Sequence, residues 1–147
     1  MWGCTEMKRK LCAATLILAI AAAFGANYGR FWWGDPAKVW NLLLSVCYLA
    51  AWGWFLHENS GKKALLVYKV WWSASLMGAV LCVCLLHLHF PELLLFAALP
   101  LSAFFLTQLF GLSYLFRPYV DLIYPIHAVI CAVMLWLGIR KMKKLHP

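Results

Sequence analysis

Apolar positions along this chain gather into five long runs, at about 11–28, 39–56, 64–88, 93–116 and 122–139, and nearly every charged residue falls in the gaps between them. A stretch of about 18 or more apolar residues is the length at which a helix can cross the roughly 30 Å hydrocarbon layer of a bilayer. Inside that layer the backbone finds no water. Its N–H and C=O groups must therefore bond within the segment, as in a helix, or around a closed barrel. A barrel would show period-two alternation, which these runs lack. The pattern predicts an all-α protein, a polytopic transmembrane helical bundle of five spans within residues 11–139. A polar basic tail is expected at 1–10 and a second at 140–147.

The gaps carry the signals that end and restart helices. Asp35-Pro36 reads as a helix start, an N-cap followed by proline at the first helical position. The short polar stretch His57 to Lys63 contains Gly61 and predicts an antiparallel hairpin between runs two and three. Phe90-Pro91-Glu92 separates runs three and four, Pro100 should kink run four, and Arg117-Pro118 ends it. Run one, with Lys8-Arg9-Lys10 before it and Ala21-Ala22-Ala23 within it, shares features with a signal peptide. Its apolar character continues to Ala26, which favours an uncleaved anchor.

Composition agrees with a membrane solvent. The 147 residues are 65% hydrophobic and 12% charged, about half the charged fraction of a soluble domain. The formal charge of +8 is not a nucleic-acid footprint, because the cations cluster at Lys8–Lys10, Lys62–Lys63 and Arg140–Lys144, each flanking an apolar run. Such flanking cations orient spans and meet anionic lipid. The nine Trp and six Tyr lie mostly near the ends of runs, as in an interfacial belt. The bilayer is thus the expected partner, and a multi-pass location in the cell membrane the expected place.

Lysine and arginine also test the number of spans. With five, and Lys69 set aside, Lys8, Arg9, Lys10, Lys62, Lys63 and Arg117 face Arg30, Lys38, Arg140, Lys141, Lys143 and Lys144, six against six. The positive-inside rule then gives no orientation. If residues 93–116 instead dip in and return on one side, the count becomes nine against three with both termini together. Five spans is the primary expectation, because run four has no charge and can cross. Four spans plus a re-entrant 93–116 is the alternative.

Few residues offer chemistry. Lys69 is the only charge well inside a run, and snorkelling of its ammonium toward Lys62 and Lys63 is the plain reading. His127 follows Pro125 and can bond a freed carbonyl inside a bundle. Gln108 is the strongest candidate for a deep polar contact, with Thr107, Ser113, Ser73 and Ser75 as weaker ones. Five spans would put His57, Lys69, Asp121 and His127 in one leaflet, a candidate ligand or ion site. A shared site requires Lys69 and His127 to lie within about 15 Å. Cys82, Cys84, His87 and His89 suggest a metal, but Cys82 and Cys84 diverge by about 200° on one helix, so no metal and no cofactor is expected. The six cysteines lack a Cys-x-x-Cys spacing and read as small apolar residues. Helix packing is expected at small residues: Gly25 and Gly29, in a four-residue series with Ala21, and Gly78, between Ala74 and Cys82.

No span contains an acidic residue, and phosphate-loop, zinc-protease and Gly-x-Ser-x-Gly motifs are absent from the sequence. The expectation is a small non-enzymatic membrane component, an accessory or assembly subunit or a homo-oligomer. The alternative is a small transporter or channel component with a polar site near Lys69 and His127.

Overall fold

The computed structural model describes residues 2–88, 100, 102–116 and 122–145, and all of its elements are helical. Helix α1 runs Trp2–Trp33, α2 Val39–Glu58, α3 Lys62–Leu88 and α5 Ile123–Leu145. Between α3 and α5 lies a shorter apolar helix, α4, at Ser102–Phe116. Four helices, α1, α2, α3 and α5, are long and apolar enough to cross a membrane. The helical bundle is therefore as the hydrophobic pattern predicts. Only part of run four is described, as α4, and that part is too short for a full crossing helix. Residues 93–99, the Phe90-Pro91-Glu92 break, Arg117-Pro118 and Asp121 lie outside the described residues, as does the surrounding backbone needed to judge a kink at Pro100.

Helix ends depart from expectation for local reasons. The two basic tails are mostly helical. An i,i+4 ion pair between Glu6 and Lys10 (2.8 Å) lies on the first turns of α1, and α5 winds on through its basic cluster to Leu145. Helix α2 begins at Val39 rather than at Asp35-Pro36, because Asn41 Oδ1 accepts the Lys38 N–H at 2.8 Å and closes the first turn. The turn before it passes through Gly34 at φ 70°, a left-handed conformation that glycine adopts without strain.

Contacts fix which helix ends lie together. Lys141 Nζ donates to the terminal carbonyls of α2, Leu56 O and His57 O, the latter at 2.9 Å. Lys62 and Lys69 of α3 line one groove with Ile139, Met142 and Lys143 of α5. The start of α3 and the ends of α2 and α5 thus meet at one end, here called the basic end. At the distal end, Asn41 of α2 bonds Ala26 O and Asn27 of α1. There Phe31, the Gly34–Ala37 turn, Phe110, Ser113, Ile123 and Tyr124 surround a cavity of about 180 Å³. Ala79 and Cys82, far along α3, pack with Tyr124 and Ala128 at the start of α5. Helices α3 and α5 are therefore antiparallel, and α3 ends where α5 begins, at the distal end. Helix α4 reaches inward to Phe104 and Phe105, whose rings lie 5.9 and 5.0 Å from that of Trp71.

An aromatic cluster forms the core nearer the basic end. Tyr48, Trp52, Tyr68 and Trp72 are fully buried, with Trp52 edge-on to Phe55, Tyr68 and Trp72. Trp71 Nε1 donates to Tyr48 Oη at 2.7 Å, and Tyr68 Oη donates to Met134 O at 3.0 Å. These rings are not in a belt at the helix ends, as their sequence positions suggested. Trp32, Trp33, Trp40, Trp54 and Trp136 are the exposed ones. Polarity is inverted relative to a water-soluble bundle. Ile17, Val46, Val70, Val80, Val129 and Val133 point outward, while Asn27, Asn41, Ser45, Gln108 and His127 are buried.

A buried polar clasp around helix α4

Three of the buried polar side chains belong to the distal half of α1 and α2. Asn41 sits one turn before Ser45 on α2, so the two share a face. That face meets Asn27 near the end of α1. Asn41 Nδ2 donates to Ala26 O (3.0 Å) and to Asn27 Oδ1 (2.7 Å), and Asn27 Nδ2 donates to Ser45 Oγ (3.4 Å). Ser45 Oγ in turn donates to Gln108 O (2.6 Å) and accepts from Gly111 N (3.1 Å). With one proton and two lone pairs, this hydroxyl is fully used.

The backbone it grips is unusual. Residues Thr107–Phe116 of α4 are wound as a 3-10 helix of 10 residues, where most such helices last three or four. Gln108 O and Gly111 N are the i and i+3 groups of one turn, so Ser45 holds both ends of a single rung. The next carbonyl, Leu109 O, lies 3.0 Å from His127 Nε2, which places the ring proton on that nitrogen. Thr107 Oγ1 donates back to Ala103 O within α4. Side chains of α2 and α5 thus satisfy the irregular backbone of α4 from two sides.

Glycines set how closely these helices approach. A Cβ at Gly111 would stand 1.8 Å from Asn41 O and 2.2 Å from Asn41 C, so α4 touches the backbone of α2. A Cβ at Gly138 would stand 2.6 Å from the Tyr68 ring, where α5 meets α3. A Cβ at Gly78 would stand 3.5 Å from Ser102 Cα, an ordinary contact where α3 meets the start of α4. Gly25 and Gly29 differ. Both are exposed, with nothing among the described residues within 4 Å of an added Cβ, so they join no described helix.

Of the expected constellation the structure describes His57, Lys69 and His127, and Asp121 lies outside the described residues. Lys69 is exposed in the groove at the basic end, which it lines with Ile139 and Met142, and His127 lies 12 residues before Ile139 on α5, toward the distal end. His57 is at the basic end too, exposed and 3.2 Å from Glu58 Oε1. The shared leaflet followed from counting five spans; the antiparallel pairing of α3 and α5 puts His127 at the other end. Gln108 is buried, as expected, and its backbone carbonyl joins the clasp. Its carboxamide finds no partner among the described residues, and neither does His127 Nδ1. Cys82 is buried against Ala79 and Leu106, and no group of three metal-ligating side chains occurs among the described residues. Asn27, Asn41 and Ser45 were not predicted. The signal available was the i,i+4 pair of polar residues at 41 and 45 inside an otherwise apolar run. Comparison with protein-family models, with characterised proteins and with solved structures gives no match.

Proposed function

We propose that the chain is a multi-pass membrane protein with four crossings and a re-entrant α4. It serves as a non-enzymatic accessory or assembly subunit, or as a small homo-oligomer, acting through helix contacts. Apolar exteriors with buried amides and hydroxyls suit a lipid solvent. Irregular backbone at membrane depth is tolerated where protein covers it, which is the office of Ser45 and His127. In this arrangement Lys8, Arg9, Lys10, Lys62, Lys63, Arg140, Lys141, Lys143 and Lys144 lie toward the basic end, against Arg30 and Lys38 among the described distal cations. The basic end is therefore cytoplasmic by the positive-inside rule.

One observation carries the assembly reading. Ala21, Gly25 and Gly29 form an exposed small-residue face on α1 that no helix among the described residues occupies. Such a face lets a second helix approach closely. Ser45 Oγ and His127 Nε2, two polar groups of the interior, are meanwhile engaged with the backbone of α4. The test is the double substitution Gly25→Leu and Gly29→Leu, compared with wild type by size-exclusion elution and crosslinking in mild detergent. Loss of the larger species with unchanged monomer stability is expected. Identical elution profiles for both proteins would overturn the assembly reading.

A further inference from the structure

Three lysines at the basic end have no counter-charge among the described residues. Lys62, Lys69 and Lys143 line a groove of about 530 Å³ together with Leu66, Ile139 and Met142. No acidic residue borders it, and the three ammonium groups take part in no ion pair among the described residues. Lys141, their neighbour in the basic cluster, is turned away to hold the carbonyls at the end of α2. Lys62 is the first residue of α3 and Lys69 lies two turns further in, so the cations extend about 10 Å down the helix.

The groove has an apolar continuation. Leu66 also borders a second groove, of about 290 Å³, walled by Val67, Val70, Trp71 and Phe105. Val70 and Trp71 lie beyond Lys69 toward the middle of the bundle. Cations at the mouth and an all-apolar channel leading inward match one class of molecule, an amphiphile with an anionic head and a hydrocarbon tail.

We propose that this face is a binding site for an anionic phospholipid of the cytoplasmic leaflet, its phosphate held by Lys62, Lys69 and Lys143 and one acyl chain lying along Leu66, Val70 and Phe105. The site favours headgroups with two negative charges over those with one. It rests on the membrane-spanning reading above, and recovery of the protein in nanodiscs of neutral phosphatidylcholine checks that reading independently. The lipid site is tested by titrating phosphatidic acid into the full-length protein in detergent and counting bound lipid by native mass spectrometry.

Wild type should retain phosphatidic acid in preference to phosphatidylcholine. Each lysine is worth about fivefold, so Lys62→Gln, Lys69→Gln and Lys143→Gln together should weaken retention about 100-fold. Lys8→Gln, Arg9→Gln and Lys10→Gln remove the same charge from the same end outside the groove, and should change it less than about threefold. Val70→Trp should weaken retention by obstructing the tail groove, and glycerol 3-phosphate at millimolar concentration should not compete. Equal losses in the two triple variants would overturn the site in favour of bulk charge. Competition by glycerol 3-phosphate with no effect of Val70→Trp would make it a free-phosphate site and overturn the lipid. Failure to enter neutral nanodiscs would refute the membrane reading itself.

Discussion

Replacing Ser45 by alanine is the sharpest test of the clasp around α4. The hydroxyl makes three hydrogen bonds, to Gln108 O (2.6 Å), Gly111 N (3.1 Å) and Asn27 Nδ2 (3.4 Å), and is fully buried. Hydrogen bonds between membrane helices average roughly 0.6 kcal/mol and reach about 1.7. Three average bonds give about 2 kcal/mol. Two effects pull on that figure. Gln108 O and Gly111 N belong to one 3-10 rung and can fall back on each other, which lowers it. Asn27 Nδ2 is left buried without an acceptor, which adds about 1 kcal/mol or more. A loss of about 2–3 kcal/mol is therefore expected from denaturant unfolding in detergent micelles. Ser75→Ala is the matched control: Ser75 is equally buried, but its hydroxyl bonds only Trp71 O (2.9 Å), four residues back on its own helix. Its loss should stay under about 0.5 kcal/mol, since such local back-bonding adds little to a helix. Equal effects of the two substitutions would refute the idea that Ser45 holds α4 in place.

Two further outcomes follow from the same geometry. Gly111→Ala must push its methyl against backbone atoms of Asn41 at 1.8 and 2.2 Å, so it should cost about 3 kcal/mol or more, at or above the upper end of overpacking. Gly25→Ala, with open space around it, should be neutral or stabilise by up to about 1 kcal/mol in the same unfolding measurement. Reporter fusions at the C-terminus and in the Ser60-Gly61 turn should both report the cytoplasmic side, and one in the Gly34-Asp35 turn the opposite side. A C-terminal reporter on the far side from Ser60-Gly61 would restore an odd number of crossings and overturn the re-entrant α4.

Much of the fold was legible in the sequence because lipid-spanning helices need only length and apolarity, and both are one-dimensional properties. Runs 39–56 and 64–88 fall within two residues of α2 and α3 at each end. Helices α1 and α5 extend beyond their apolar runs, to Trp2–Trp33 and Ile123–Leu145. Lys and Arg are good helix formers, so α1 and α5 carry their basic clusters as extra turns. The clasp was hidden for a different reason. Asn27 and Asn41 lie near the ends of their runs, where polar residues are unremarked, and only packing reveals that they turn inward. The glycines show the same limit. Gly-x-x-x-Gly marks a face that can pack, without saying which helix packs there, whereas Gly111 and Gly138 belong to no such series and make the tightest approaches among the described glycines.

Charge and packing then point the same way from independent starting points. The nine-against-three count asked residues 93–116 to return to the side they came from. The antiparallel contact of α3 and α5 requires the chain between them to begin and end at the distal end. A returning segment creates a chemical need that a crossing helix does not have. In the proposed topology its narrow 3-10 winding must be covered by protein and supplied with partners. Ser45 on α2 and His127 on α5 supply them at successive carbonyls, Gln108 O and Leu109 O. Of the residues that looked like a ligand site, His127 thus acquires a structural cause, the backbone of α4. What they leave over are groups without a partner among the described residues, the carboxamide of Gln108 inside the bundle and three lysines at its basic end. Of these, only the lysines open to the outside, where a lipid can reach them.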